Sequence, residues 1–226
     1  MKVTVIGGRG FFGSWLVPAL EEYHDVEIYD VVDGNDIFDV KNLTAKLKGR
    51  EAAIHLAAIP SYKASLNPAL YVRLNIVGVA RVVEAMKAAK VKKLVYAASG
   101  AVYGFEGGKP SGGWVKPPIS ERQYPADWNA LNVYSAGNLA VEAWLPLALG
   151  YGWAVTSLRI NCIEPHHKGV LDQGHHWGWW CSQKMAASAF LAALAREKTG
   201  FEIVNVGEHN ENMDYTMLDK LLDGEL

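Results

Sequence analysis

Gly7-Gly8-Arg9-Gly10-Phe11-Phe12-Gly13 follows the apolar run Val3-Thr4-Val5-Ile6 and precedes an amphipathic stretch from Phe12 to Tyr23. That order spells strand, glycine-rich turn, helix. Such a turn lets backbone N–H groups close on a pyrophosphate at a helix N-terminus. Gly7 supplies the tight turn, Gly10 lets the chain approach the phosphates, and Gly13 lets the helix pack on the strand. Glycine-rich turns are common punctuation, so the downstream context matters. A second apolar run, Val26-Glu27-Ile28-Tyr29, ends at Asp30. A carboxylate there accepts hydrogen bonds from the adenosine ribose hydroxyls and repels a 2′-phosphate. Together these residues predict a dinucleotide site that prefers NAD; the bland alternative is a structural strand–helix turn.

The composition narrows the rest. At 226 residues, half of them hydrophobic, the chain is long enough for one domain with a sizeable core, or one domain with a small appendage. A formal charge of −2 with acids and bases interspersed points to neither nucleic acid nor an anionic membrane. No apolar run approaches the ~20 residues that span a bilayer. The first residues read as a strand, so no signal peptide is expected. With two cysteines, Cys162 and Cys181, a disulfide framework is not expected and a cytoplasmic setting is.

Strand-like runs at 2–6, 26–30, 52–57, 93–98, 153–160 and 201–206 alternate with helical patterns near 12–23, 41–48, 67–90, 131–149, 183–197 and 215–222. Continuous apolar strands in βαβ alternation predict an α/β fold, a doubly wound parallel sheet of Rossmann type, with ligands beyond the C-terminal strand ends. Two stretches break the rhythm: 104–129, rich in Gly, Pro and Trp, and 162–181, with four histidines and three tryptophans. Loops this long are functional, mobile, or plain surface. The 131–149 helix has almost no polar face, so it needs cover on two sides. With the Val77, Val79, Ala80, Val82 and Val83 surface of the 67–90 helix, it predicts a two-fold homodimer.

Two hydroxyls stand where chemistry belongs. Ser99 ends the fourth strand, in the crevice a ligand would occupy, although a serine there is also a natural cap. Tyr134 opens the apolar helix. Its phenol, with an ordinary pKa near 10, serves as a general acid, or as a base if something lowers that value; the alternative is a packing residue.

From these residues onward the chain resembles the extended short-chain dehydrogenase/reductases, the NAD-dependent epimerase/dehydratase family. The resemblance rests on Gly7, Gly10, Phe11 and Gly13, on Asp30, on Asp36-Ile37 in "GNDIFD", on His55-Leu56-Ala57-Ala58, and on Asn75 in "LNIVGVARVVEA". It continues through Ser99 to Gly104 and through Leu158, Arg159, Asn161 and Pro165. It implies that Gly7, Gly10, Phe11, Phe12, Gly13, Asp30, Asp36, Ile37, Leu56, Ala57, Ala58 and Asn75 form the NAD site, Asn75 as a brace. It implies that Ser99 and Tyr134 are the catalytic hydroxyls, handling a proton while hydride moves between substrate and nicotinamide. Residues 1–165 would form the NAD-binding domain, and 166–226 a small C-terminal substrate lid plus the strand and helix that complete the sheet.

The match fails at two places. The family pattern is Tyr-x-x-x-Lys, and this chain reads Tyr134-Ser135-Ala136-Gly137-Asn138. Asn138 can still hydrogen-bond the nicotinamide ribose but carries no charge to favour the tyrosinate, so the phenol pKa would stand about one to three units higher. Three explanations stay open: a site altered to trap a complex, another cation drawn from Lys63, Lys109, His166, His167, His175 or His176, or a chain that binds the dinucleotide without turning it over. The second departure is a short C-terminal part, with Lys184 near where relatives hold an aspartate that anchors the substrate helix. A small lid suits a free sugar, a uronate or another small hydroxy or oxo compound.

The expected function is therefore an NAD-dependent oxidoreductase or epimerase acting on a sugar, nucleotide-sugar or sugar-like compound, through Ser99, Tyr134 and Asn138; the alternative is a weakly catalytic NAD-binding sensor or scaffold. Glu164, His166, His167, Asp172, His175 and His176 match no metal-ligand spacing, so no metal is expected. Trp177, Trp179 and Trp180 can stack on a sugar ring or fill a junction. His55 reads as a buried, hydrogen-bonded structural histidine, and Cys162 and Cys181 as passive.

Overall fold

The computed structural model describes residues 1–60, 67–106, 109–110, 115, 117–124, 131–150, 152–163 and 180–226, without the side chains of 105, 106, 109 and 110. Six parallel strands form one sheet: β1 Lys2–Ile6, β2 Asp25–Tyr29, β3 Ala52–His55, β4 Lys93–Ser99, β5 Ala154–Ile160 and β6 Gly200–Val206. Their order is β6-β5-β4-β3-β1-β2. The order reverses between β1 and β3, and a crevice opens at such a switch point beyond the strand ends.

Both faces of the sheet are covered. Strand residues alternate between them: Val3, Val5, Ile54 and Val95 point into one core, and Ile6, Ala53, Leu94 and Tyr96 into the other. The first core is roofed by α1 (Phe11–Glu21), α5 (Gln183–Ala195) and α6 (Thr216–Leu222), through Leu16, Leu20, Phe190, Leu194, Leu218 and Leu221. The second is roofed by α2 (Val40–Leu47), α3 (68–89) and α4 (Val133–Leu149), through Leu43, Leu47, Val82, Met86, Val141 and Leu145. Strands buried on both faces explain the unbroken apolar runs.

Four local features refine the sequence reading. The stretch expected as one helix at 67–90 is an α-helical turn, Pro68–Tyr71, a π-helical segment, Val72–Val77, and an α-helix, Gly78–Ala89, which together make α3. Such π segments are short and concentrate at functional sites; this one carries Asn75 to the buried side. Strand β3 stops at His55 rather than 57, because the N–H groups of Leu56 and Ala57 both turn to the carbonyl of Ile6, at 2.8 and 3.0 Å. The irregular 104–129 stretch contains a two-residue antiparallel pairing, Phe105–Glu106 with Lys109–Pro110. The helix expected over 131–149 begins at Val133, where Asn132 and Ser135 form a reciprocal capping box.

The expected lid falls largely on 164–179, outside the described residues. From Trp180 onward the chain returns to the sheet: Trp180–Cys181 pairs with Cys162–Ile163, and β6 adds the edge strand beside β5. In that short ribbon Cys162 lies opposite Trp180, and Cys181 opposite Ile163.

Candidate cofactor and catalytic site

The glycine-rich turn is built by exclusion. Gly7 has φ +85°, and a Cβ there would lie 2.5 Å from the Ala57 nitrogen, so the turn presses on the chain leaving β3. A Cβ on Gly13 would lie 2.0 Å from the Gly8 carbonyl oxygen, so α1 sits directly on the turn. At Gly10 the nearest atom to such a Cβ is 3.4 Å away, which leaves this face open. Gly10 is also the N-cap of α1, with no side-chain cap on the first-turn N–H groups. A helix start without a side-chain cap, beside a backbone free of Cβ atoms, is what a pyrophosphate needs.

Asp30 lies at the end of β2 with both carboxylate oxygens held: Oδ2 accepts from the Arg9 N–H at 2.9 Å and Oδ1 from the Val32 N–H at 3.0 Å. It is 8% exposed. Asp36 accepts the Phe38 N–H on its carboxylate at 2.9 Å and the Tyr29 hydroxyl on its carbonyl at 2.8 Å, which fixes the loop before Ile37. The residues therefore fit a dinucleotide: a phosphate cradle at one point and a fixed carboxylate at the next strand end.

These groups border one cavity of about 830 Å³, within the size range of cofactor sites. Gly7, Gly10, Phe11, Phe12, Asp30, Asp36, Ile37, Leu56, Ala57, Ala58, Ser99 and Tyr134 all line it. Gly13 does not line this cavity and serves helix packing. Asn75 and Asn138 line a second, small cavity of about 10 Å³ that shares Leu56, Ala57, Ala58 and Tyr134 with the first. Both amide atoms of Asn75 are taken by Ile59, whose N–H donates to Oδ1 at 2.7 Å and whose carbonyl accepts from Nδ2 at 2.9 Å. Asn75 thus holds the chain after β3 in place.

The hydroxyls converge from two elements. Ser99 ends β4, and its Oγ accepts the Ala101 N–H at 3.2 Å, capping the turn 100–103 while bordering the cavity. Tyr134, in the first turn of α4, borders the cavity from the other side. Burial raises its phenol pKa above 10; hydrogen bonding to the Ser99 and Asn138 side chains pulls the other way without cancelling that rise. Asn138 accepts the Tyr96 hydroxyl on Oδ1 at 3.1 Å and donates from Nδ2 to the Tyr134 carbonyl at 3.0 Å. Tyr71 donates its hydroxyl to the same carbonyl at 2.9 Å. A Cβ on Gly137 would lie 2.6 Å from the Tyr71 hydroxyl, so this contact needs glycine at 137. Neither Tyr71 nor Tyr96 was marked by any motif; only the tertiary partners of these two buried tyrosines tie them to Tyr134.

His55 corrects an expectation. It is buried as expected, but neither ring nitrogen has a hydrogen-bond partner among the described residues. Its ring stacks on Tyr96 with centroids 6.0 Å apart and lines the small cavity, which has room for one water. Burial lowers its pKa to about 4, so it is neutral near pH 7. Of the cations considered for the missing lysine, Lys63, His166, His167, His175 and His176 lie outside the described residues, as does the side chain of Lys109. Among the described residues the large cavity is bordered by two cations, Arg9 and Arg73. Arg9 pairs with Asp33, and Arg73 lies over the Phe38 ring at 4.6 Å.

Burial raises the pKa of both cysteines, Cys162 and Cys181, which keeps both as thiols. No group of three or more His, Cys, Asp or Glu side chains among the described residues is placed to hold a metal. No helix among them is long and apolar enough to cross a membrane.

Comparison with known proteins agrees with this geometry. The model of the NAD dependent epimerase/dehydratase family matches residues 3–183. A UDP-glucose 4-epimerase of Mycolicibacterium smegmatis is 31% identical over 251 residues of alignment, covering 99% of this chain and 71% of that protein. A UDP-glucose 4-epimerase of Lactobacillus helveticus is 31% identical over 198 residues, covering 77% of this chain; the chain spans 56% of that relative's length. The solved structure of MoeE5 in complex with UDP-glucuronic acid and NAD superposes with a TM-score of 0.75 at 22% identity, covering 93% of this chain and 77% of that one, a likeness of fold. On the family match over most of its length, the chain belongs to the NAD dependent epimerase/dehydratase family.

Proposed function

We propose that the chain is an NAD-dependent enzyme acting on a hydroxyl or carbonyl of a sugar, nucleotide-sugar or sugar-like compound, with Tyr134 as general acid and base. One observation carries this reading: Ser99 and Tyr134 border the same cavity as Gly7, Gly10 and Asp30. Bound NAD would supply a hydride acceptor and donor. Gly7, Gly10 and the first-turn N–H groups of α1 receive the phosphates. Asp30 takes the adenosine ribose, and Asp36 and Ile37 border the adenine. Ser99 donates to the substrate oxygen and holds it, while Tyr134 moves the proton on that oxygen. Asn138, oriented by Tyr96, keeps the start of α4 in place beside the nicotinamide ribose. The UDP-glucose on which the Mycolicibacterium smegmatis epimerase acts and the UDP-glucuronic acid bound in MoeE5 support a sugar or uronate class.

The reading of the chain as a weakly catalytic NAD-binding sensor is favoured by one specific fact. Asn138 stands where the family pattern has lysine, and the Tyr134 pKa is raised. The deciding experiment is calorimetry with NAD, followed by incubation of the loaded protein with UDP-glucose, UDP-glucuronate and free uronates. An isomer formed without net change in nicotinamide absorbance marks an epimerase, and accumulating reduced nicotinamide marks a dehydrogenase. NAD binding with no product from any of them supports the sensor, and absence of NAD binding rejects both readings.

We further infer a homodimer through α3 and α4. Val79, Val82 and Val83, expected on the dimer surface of α3, are instead buried in the second core, where they pack under the sheet; the exposed apolar residues there include Val72 and Val77, with Val133, Trp144 and Leu147 on α4, Leu147 at 83%. Apolar residues clustered on two adjacent helices mark an interface. Sedimentation should give twice the chain mass, and Leu147→Glu with Trp144→Glu should give the single chain.

A further inference from the structure

Beside Asp30, Arg9 on the cavity wall pairs with Asp33, an acid that does not itself line the cavity and has no part in the proposed reaction. Arg9 is the charged member of the glycine-rich turn. Its backbone N–H is bonded to Asp30, and its side-chain Nε donates to Asp33 Oδ2 at 2.9 Å. Asp33 closes the 3-10 turn Val31–Asp33, of which Asp30 is the N-cap. Gly34 follows in the left-handed region at φ +80°, and the Gly34 N–H bonds back to Val31. One short turn thus fixes both acids, and Arg9 meets one through its backbone and the other through its side chain.

These groups present two opposed recognition chemistries in one place. A buried carboxylate suits a ribose with a free 2′-hydroxyl, and a guanidinium suits a ribose 2′-phosphate. Which prevails depends on where the guanidinium is held. The pair is at the surface, with side chains 50% and 35% exposed. Exposed pairs of this kind are weak, so the tether is one that a doubly charged phosphate competes for. The other cation on the cavity wall, Arg73, sits on α3 over the Phe38 ring.

We propose that Asp33 is a specificity-determining residue of the dinucleotide site: by holding the Arg9 guanidinium, it withholds the charge that would receive a 2′-phosphate. Asp30 repels that phosphate directly, and Asp33 keeps its counter-charge away. The carboxylate of Asp33 has no other hydrogen-bond partner among the described residues, so its effect runs through Arg9. This assignment rests on the NAD reading of the cavity.

The test is direct binding, read by tryptophan fluorescence or calorimetry, of NAD and NADP to the unaltered chain, to Asp33→Asn, and to Asp33→Asn combined with Arg9→Gln. Asp33→Asn is expected to bind NADP about three- to fivefold more tightly than the unaltered chain, with NAD affinity unchanged within about twofold. Adding Arg9→Gln is expected to remove that gain. NADP affinity unchanged in Asp33→Asn, while NAD still binds, overturns the assignment. A gain that persists after Arg9→Gln also overturns it, because loss of one negative charge would then be the whole effect. An unaltered chain that binds no NAD fails differently: it rejects the cofactor reading first, and this assignment with it.

Discussion

Glu142→Ala lowers the stability of the fold by about 3–5 kcal/mol, the expected effect of removing one partner of a buried ion pair. Arg159 is the penultimate residue of β5 with its side chain 0% exposed, and Glu142 faces it from α4 with its side chain 3% exposed. Arg159 Nη2 donates to Oε2 at 2.7 Å, and Nε to both carboxylate oxygens at 3.1 Å. Ser157 donates its hydroxyl to Oε1 at 2.8 Å. On the other side, Nη1 donates to the Tyr103 hydroxyl at 2.7 Å, which itself donates to Asn205 Oδ1 at 2.6 Å. Burial alone would lower the pKa of this guanidinium; Glu142 and Tyr103 outweigh that and hold it above the ordinary value. Alanine at 142 therefore leaves a full positive charge inside the sheet with a phenol and the Glu121 carbonyl as its remaining hydrogen-bond partners among the described residues. For a domain of this size each kcal/mol shifts the melting temperature by about 2–4 °C, so the midpoint should fall by roughly 6–20 °C. A loss under about 1 kcal/mol in thermal or urea unfolding would show that the pair is not what secures α4 to the sheet. The site depends on that attachment, because Tyr134 and Asn138 precede Glu142 on the same helix.

The fold was legible because its determinants are local in sequence. Each of the six strands is a short apolar run, and the central ones are buried on both faces, so hydrophobicity marks them without any alternation to decode. The glycine turn was legible because Gly7 and Gly13 meet Ala57 and Gly8 too closely to carry a side chain. Half of the candidate site shares that property: Asp30, Ser99 and Asn138 hold positions counted from a strand end or from Tyr134. The other half does not. Tyr71 reaches Tyr134 across 63 residues, and Tyr96 reaches Asn138 across 42. Such pairings are decided by which helix lies over which strand. The π segment in α3 has no composition signal, since Val72–Val77 reads as ordinary helix. His55 misled for a related reason. Burial was evident from its strand, but hydrogen bonding depends on neighbours from Asn75 to Asn138, and these leave a space of one water beside it. Arg9 and Asp33 both lay in plain view; their pairing emerges only when the 3-10 turn folds back beside the glycine turn.

Tyr134→Phe, measured on whichever nucleotide-sugar or uronate the protein turns over, is expected to lower turnover by about 10²–10⁴-fold, with NAD affinity within about threefold. A phenol acts as a base when ionised, and burial holds this one above pKa 10. At pH 7 the ionised fraction is then below about one in a thousand, so turnover in the direction that removes a substrate proton should climb as pH rises toward 10. Phenylalanine removes that dependence along with the rate. Asn138→Lys tests the same account from the other side. An ammonium about 4–6 Å from the phenol stabilises the tyrosinate and lowers its pKa by about one to three units. The rising limb should move to lower pH by that amount, and the rate at pH 7 should increase about tenfold or more. The substitution also displaces the Tyr96–Asn138 bond, so melting curves must accompany it. Asn138→Lys combined with Tyr134→Phe should show no gain, since the added charge acts through the phenol. If Asn138→Lys leaves the limb where it was while the protein stays folded, Tyr134 is already served by a cation outside the described residues, and the neutral amide at 138 is not the weak point of this site.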